Sequence, residues 1–292
     1  DFSPSFFEIT WVMALVYFKQ QGCQIIIVET GLGGRLDATN IITPILSIIT
    51  NIGLEHTNFL GDTLAKIAFE KGGIVKNNIP VIIGETTPET MPIFKEIALK
   101  RGSELILAEE EQLLKLQNFP LLGEYQLKNF RTVNTALVLL KAFDYNITDE
   151  NISSGLKKLQ INTGFKARLQ IINEKPLTII DVSHNFDGIK STLESIKKNN
   201  KGKVHIIYGT SADKDLETIF SLFDKENKYY FTEFTNSRSA KIEELKIYAN
   251  KNQLKSYFFS NVKSALKSAQ KTVNEEDTIL IFGSFFLIDD IF

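Results

Sequence analysis

Short apolar runs punctuate the chain and constrain its fold more than any other feature. They are Ile25–Val28, Ile45–Thr50, Pro80–Ile83, Glu104–Ala108, Leu177–Asp181, Val204–Tyr208, Tyr229–Phe234 and Thr278–Phe282. Rich in Ile and Val, they lack strict apolar–polar alternation, which suits strands buried on both faces of a parallel sheet. Between them lie segments of helical spacing. Thr63–Val75 carries Leu64, Ile67, Ala68 and Ile74 on one stripe, and Phe130–Phe143, Gly188–Lys197 and Val262–Val273 read similarly. Strand–helix alternation of this kind predicts an α/β fold with helices on both faces of the sheet.

The alternation breaks once. From Leu113 to Lys158 the pattern is helix and loop without a strand, and "QINTGFKARLQIINEKP" then leads into a new set of strands. A domain boundary is therefore expected near Thr163, giving domains 1–163 and 164–292. The 292 residues are enough for two cores. No run of eighteen apolar residues occurs, so no membrane span is expected. A net charge of −2 argues against a general nucleic-acid binder. Cys23 is the only cysteine, which excludes an internal disulfide and a cysteine zinc site. With no signal-peptide pattern at the front, a cytoplasmic setting is the expectation.

In open α/β sheets, ligands bind beyond the carboxyl ends of strands. Three runs end in reactive side chains: "IIIVE" in Glu29, "LSIITNIGLEH" in Glu55 and His56, "LTIIDVSHN" in Asp181, His184 and Asn185. A carboxylate and an imidazole such as Glu29 and His56, with water and phosphate oxygens, are a donor set for magnesium or manganese. Also open is a reading in which Glu29 caps a helix or pairs with Arg35 and His56 bonds a loop carbonyl. Asp181 caps the following helix or meets a ligand. His205, inside "KVHIIYG", reads as a core or strand-face residue. Lys71, near the end of a predicted helix, reads as solvated. The glycines of "GLGGR" permit a tight turn and close backbone approach. They miss the dinucleotide fingerprint because Leu36 holds its last glycine position, and no G-x-x-x-x-G-K-[ST] occurs.

These segments together resemble a known family. "VETGLGGRLDATN", the following "GLEHT", then "GEYQLKNFRTVNTA", "ARLQII", "DVSHNFDGI", "GTSADKDLE" and "FGSFFLIDD" are similar, in order, to folylpolyglutamate synthase/dihydrofolate synthase, a branch of the Mur ligase superfamily. The resemblance implies a Mur-ligase-like central domain and a C-terminal Rossmann-like α/β domain. It implies ATP-dependent ligation of L-glutamate to dihydropteroate or folate through an acyl phosphate, with Mg2+. The family expectation is a monomer. In this family Glu29 and His56 match the magnesium ligands and Lys71 a lysine that becomes carbamylated. Asp37 matches a position near the pterin, and Gln126 and Asn129 match adenine contacts. Arg168 and Asp181 match residues that reach ATP across the cleft, and His184 and Ser284 residues on the glutamate side.

Two positions depart from the family pattern. Ala167 stands before Arg168 where glycine is usual, and Phe186 follows "HN" where proline is usual. Family members also carry a glycine-rich phosphate loop with a lysine ahead of the part matched here, while this sequence opens at Asp1 and enters "FFEITWVMALVYFKQQG". The resemblance therefore implies an N-terminally truncated piece, inactive alone. A non-catalytic nucleotide- or folate-binding remnant and another Mur-type ligase are the competing readings.

Overall fold

The computed structural model describes residues 3–108, 123–200 and 202–292. They form two compact units. Residues 3–108 and 128–147 make the first, residues 123–127 and 148–292 the second. Residues 148–163 thus go with the second unit, on the other side of the division expected at 163/164. The part of the expected strand-free stretch between 113 and 122 lies outside the described residues.

The first unit contains α1 (Phe6–Gln20), β1 (Ser47–Ile49), α2 (Thr57–Leu60), α3 (Leu64–Gly72), β2 (Val81–Ile83), α4 (Met91–Arg101), β3 (Leu105–Leu107) and most of α5 (Glu124–Ala142). Its sheet is parallel, in the order β1-β2-β3, with Ile48 opposite Ile82 and Ile82 opposite Ile106. On one face Ile49, Val81 and Ile83 pack with Ala68 of α3 and Phe94 and Ala98 of α4. On the other, Ile82 packs with Ala136 and Leu139 of α5. Burial on both faces is why these strands read as unbroken apolar runs.

The expected strand at Ile25–Val28 is a correction. The segment forms no strand, and Ile27 is 93% exposed. An extended segment becomes a strand only when a neighbour completes its hydrogen-bond ladder. Among the described residues β1 pairs with β2 alone. Helix α1 ahead of it starts with a capping box between Ser5 and Glu8. Only Trp11 of this helix is buried.

The second unit adds α6 (Asp149–Lys157), α7 (Leu159–Thr163), β4 (Gln170–Glu174), β5 (Leu177–Ile180), α8 (Phe186–Asn199), β6 (Val204–Tyr208), α9 (Leu216–Phe220), β7 (Lys228–Thr232), α10 (Ile242–Lys251), β8 (Lys255–Phe259), α11 (Val262–Gln270), β9 (Thr278–Phe282) and α12 (Phe285–Asp289). Strand order is β4-β5-β9-β6-β7-β8, and only β4 runs antiparallel to its neighbour. One face buries Ile206, Phe231 and Leu280 under Ile189 of α8, Phe220 of α9 and Leu245 of α10. The opposite face buries Ile180, Ile207 and Ile281 under Val262 and Ala265 of α11 and Leu287 of α12. Strands β4 and β8 have no counterpart among the runs read from sequence. Both are edge strands, and "QIINE" and "KSYFF" keep polar, solvent-facing positions that break an apolar run. No helix among the described residues is long and apolar enough to cross a membrane.

Candidate active site

In the first unit the glycine-rich segment is clamped onto the end of α3. A Cβ on Gly34 would lie 2.8 Å from the Lys71 carbonyl oxygen and 3.0 Å from that of Glu70. The loop backbone therefore approaches the helix end as closely as only glycine allows. Arg35 continues the contact. Its amide donates to the Glu70 carbonyl at 2.8 Å. Its guanidinium donates to the Glu70 carboxylate from Nη2 at 2.9 Å and from Nε at 3.1 and 3.2 Å. The alternative pairing of Arg35 with Glu29 is thus excluded by Glu70, which sequence reasoning missed. The signal was present in "FEKGG", where an acid precedes the candidate lysine. Glu70 serves Arg35, and half-buried Lys71 has no ion-pair partner among the described residues.

Asp37 organises the same loop. Its Oδ1 accepts from the Thr39 amide at 2.9 Å and its Oδ2 from the Leu32 amide at 2.8 Å. Burial opposes its charge, yet these bonds and the Thr39 hydroxyl together hold its carboxyl below the usual carboxylate range. Asn40 ties the loop to Gly73 through a 3.0 Å bond to its carbonyl.

Glu29 and His56 are both exposed, and neither side chain has a hydrogen-bonding partner among the described residues. His56 stands before α2 in the left-handed region, at φ 50°, and contributes no side-chain cap. Among the described residues no three His, Cys, Asp or Glu side chains converge.

In the second unit the candidates gather where β5 and β9, parallel neighbours, reach their carboxyl ends. Asp181 is 2% exposed. It accepts from the Leu169 amide at 2.8 Å, the Ser183 amide at 2.8 Å and the Thr192 hydroxyl at 3.2 Å. It does not cap α8. Asn185 does, accepting from the Gly188 amide at 2.9 Å. Phe186 then occupies the first helical position, where proline is equally at home, and that accounts for the departure there.

Arg168 sits between Ala167 at φ 56° and Leu169 at φ 48°. Both neighbours lie in the region glycine favours, which explains why a glycine at 167 is the natural choice. The Ala167 amide is held by Gln170 at 2.8 Å and the Leu169 amide by Asp181. The guanidinium makes no ion pair among the described residues and lies 5.5 Å from the centre of the Phe285 ring. His184 donates from Nδ1 to the Val182 carbonyl at 3.0 Å, the only sense available with a carbonyl acceptor, which leaves Nε2 bare in the neutral ring. Its ring lies 6.5 Å from that of Phe285. Ser284 is buried and caps α12, accepting from the Phe286 amide at 3.2 Å.

Gln126 is buried near the start of α5, and Asn129, one turn on, is exposed. Beside Gln126, burial pushes the Tyr125 hydroxyl up to about 12. Asp181 adds to that shift, and the Gln126 bond and Arg168 oppose it. Tyr125 and Gln126 therefore share the surroundings of Arg168 and Asp181. The structure brings Arg168 and His184 to the Phe285 ring, next to Ser284, while Asp181 holds the amides of Leu169 and Ser183 beside them. It also brings Asp37 and Lys71 onto one loop–helix junction.

Comparison with known proteins places this edge in context. Residues 167–285 match the family described as Mur ligase, glutamate ligase domain. The chain is 31% identical over 305 residues to the dihydrofolate synthase/folylpolyglutamate synthase of Buchnera aphidicola subsp. Schizaphis graminum, covering 99% of this chain and 70% of that protein. E. coli FolC in complex with DHPP and ADP superposes with a TM-score of 0.82 at 28% identity, over 100% of this chain and 71% of that one. A bifunctional folylpolyglutamate synthase/dihydrofolate synthase with Mn, AMPPNP and L-glutamate bound gives a TM-score of 0.80 at 29% identity, with the same coverage.

Proposed function

The chain belongs to the dihydrofolate synthase/folylpolyglutamate synthase family, and from that footing we propose that it serves the ATP-dependent joining of L-glutamate to dihydropteroate and to folates. The γ-phosphoryl group of ATP passes to the acceptor carboxylate and ADP leaves. The glutamate amine then attacks the acyl carbon, loses a proton and displaces phosphate, and an amide bond forms. The observation that carries this reading is the grouping of Arg168, His184 and Ser284 at the carboxyl ends of β5 and β9, within the stretch matched to a glutamate ligase domain.

Each residue has a role in keeping with its surroundings. Arg168 offers guanidinium donors to phosphate oxygens, with no acid among the described residues to quench it. His184 and Ser284 lie on the amino-acid side. Asp181, buried, acts through Arg168 and His184 by fixing the amides of Leu169 and Ser183. Gln126 and Asn129 serve the adenine. Asp37 shapes the acceptor loop through the Leu32 amide.

A divalent cation accompanies the nucleotide, and Mg2+ is our choice for it. Glu29 and His56 fit such an ion: both are exposed, without hydrogen-bonding partners among the described residues, and magnesium takes few protein ligands. When bound, the ion offsets phosphate charge. Lys71, half-buried and without an ion-pair partner among the described residues, is the lysine we assign to carbamylation. The test is an assay of the purified full-length gene product with ATP, L-glutamate and either dihydropteroate or tetrahydrofolate, followed by product mass. Glutamate-dependent ADP release with an acceptor heavier by one glutamyl residue is expected. ATP consumption that ignores both glutamate and acceptor would sink the reading.

A further inference from the structure

Phe285 is a half-exposed phenylalanine just beyond the carboxyl end of β9, and its position is set by its neighbours rather than by burial of its own ring. Ser284 caps α12 and fixes the chain direction. Phe286 packs on Phe234 with ring centres 5.8 Å apart, while Leu287 and Ile288 enter the core. Helix phase then leaves Phe285 facing outward, 52% exposed. Two groups lie against that ring, the Arg168 guanidinium at 5.5 Å and the His184 imidazole at 6.5 Å, inclined by 51°.

Arg168 has its backbone pinned on both sides, through the Ala167 and Leu169 amides. Its side chain, by contrast, has no carboxylate partner among the described residues, and the Phe285 ring lies beside it. A long cationic side chain without such a support samples many rotamers and must be ordered anew at each binding event. His184 has its Nδ1 fixed by Val182, and its ring plane meets Phe285.

We propose that Phe285 is a positioning residue, whose ring supports Arg168 and His184 together and thereby couples the orientation of the phosphate-side cation to that of the amino-acid-side imidazole. The proposal rests on the roles given above to Arg168 and His184. It explains why an aromatic residue is left half in water directly after Ser284. An aliphatic side chain there would keep contact with His184 and lose the attraction of a ring face for a cation.

The experiment reads the position of Arg168 directly and then its consequence. Heteronuclear NOE of the Arg168 Nε–H group is measured in full-length wild type, Phe285→Leu, Phe285→Ala and Phe285→Trp proteins, with unchanged melting curves as the check on folding. Alongside, KM for ATP and for L-glutamate is measured in the same set. The NOE is expected to fall in the Leu and Ala variants and to recover in Trp. KM for ATP is expected to rise about two- to fivefold in both truncations, the change one exposed cation–π contact carries. KM for glutamate is expected to rise in Ala but not in Leu. An Arg168 NOE unchanged in Phe285→Ala overturns the proposal, whatever the kinetics show. A wild-type protein without glutamate-dependent turnover would sink the functional reading, and the NOE series would still decide whether Phe285 positions Arg168.

Discussion

Arg35 and Glu70 hold each other at two levels: the Arg35 amide bonds the Glu70 carbonyl, and the guanidinium forks onto the Glu70 carboxylate at 2.9 to 3.2 Å. Glu70 immediately precedes Lys71, so the pair sets the loop 31–37 against the residue proposed for carbamylation.

Replacement of Glu70 by Gln separates the two levels. The pair is partly exposed, so stability is expected to fall by no more than about 1 kcal/mol. Ligation is expected to slow by about 10- to 100-fold, because the loop loses its fixed position. Thermal melts and glutamate-dependent ADP release, measured on the same preparation, check both halves. Equal activity with a normal melt would detach the pair from function.

Gly34 is expected to tolerate no side chain. The Cβ of Gly34→Ala would press on two backbone carbonyls, which cannot swing aside, and a loss of about 1–3 kcal/mol is expected. Gly53→Ala is the control, because its Cβ meets nothing within 4 Å. Urea unfolding should show a clear shift in midpoint for the first variant and little for the second.

Ala167 sets three effects against one another. Glycine there relieves about 1–2 kcal/mol of left-handed strain, restores about 0.5–1 kcal/mol of chain entropy to the unfolded state and gives up about 0.8 kcal/mol of buried methyl. The contributions nearly cancel, so Ala167→Gly is expected to stay within about 1 kcal/mol of wild type. Ala167→Val, branched at Cβ, is expected to lose far more. Chemical denaturation of the pair decides it, and equal stability for Gly and Val would remove the strain argument.

His205 predicts an acid sensitivity that starts before the carboxylates titrate. It is fully buried, with Nδ1 3.1 Å from the Tyr230 hydroxyl and Nε2 3.4 Å from Asp277. Burial, helped by Lys228, lowers its pKa from the ordinary 6.5, and Asp277 only partly offsets this. The unfolded chain therefore binds a proton near pH 6.5 that the folded chain refuses. Stability is full above that pH and is expected to decline as pH falls below it. Melting temperatures of wild type and His205→Asn between pH 5 and 8 should diverge in slope below about pH 6.5. Parallel slopes would count against the assignment.

Sequence patterning captured the strands whose two faces are both buried, such as Val81–Ile83 and Thr278–Phe282, because double burial leaves a visible run of apolar residues. It overcounted Ile25–Val28, where an identical composition lacks a hydrogen-bonding neighbour. It overlooked β4 and β8, whose edge positions keep polar residues. For the site, residue type and strand-end placement brought Asp181 and His184 forward, yet could not tell that Asp181 would be enclosed. Three hydrogen bonds decide that, and they come from residues 2 to 12 positions away. Glu70 and Phe285 escaped notice because each acts on a partner distant in sequence, Arg35 or Arg168, and no local pattern encodes such pairing.

The strand order of the second unit has a bearing on how the protein is made. Strand β9 lies between β5 and β6, although β6, β7 and β8 are all synthesised before it. A nascent chain that has released Val204–Phe259 still holds an open slot at the centre of its sheet, flanked by two apolar strands with unpaired edges. Docking of Thr278–Phe282 fills that slot on both sides in one event, against Leu177–Ile180 and Val204–Tyr208. Until then the most hydrophobic part of the unit is accessible to chaperones and to other nascent chains. The rate at which residues 260–282 leave the ribosome thus sets how long that exposure lasts.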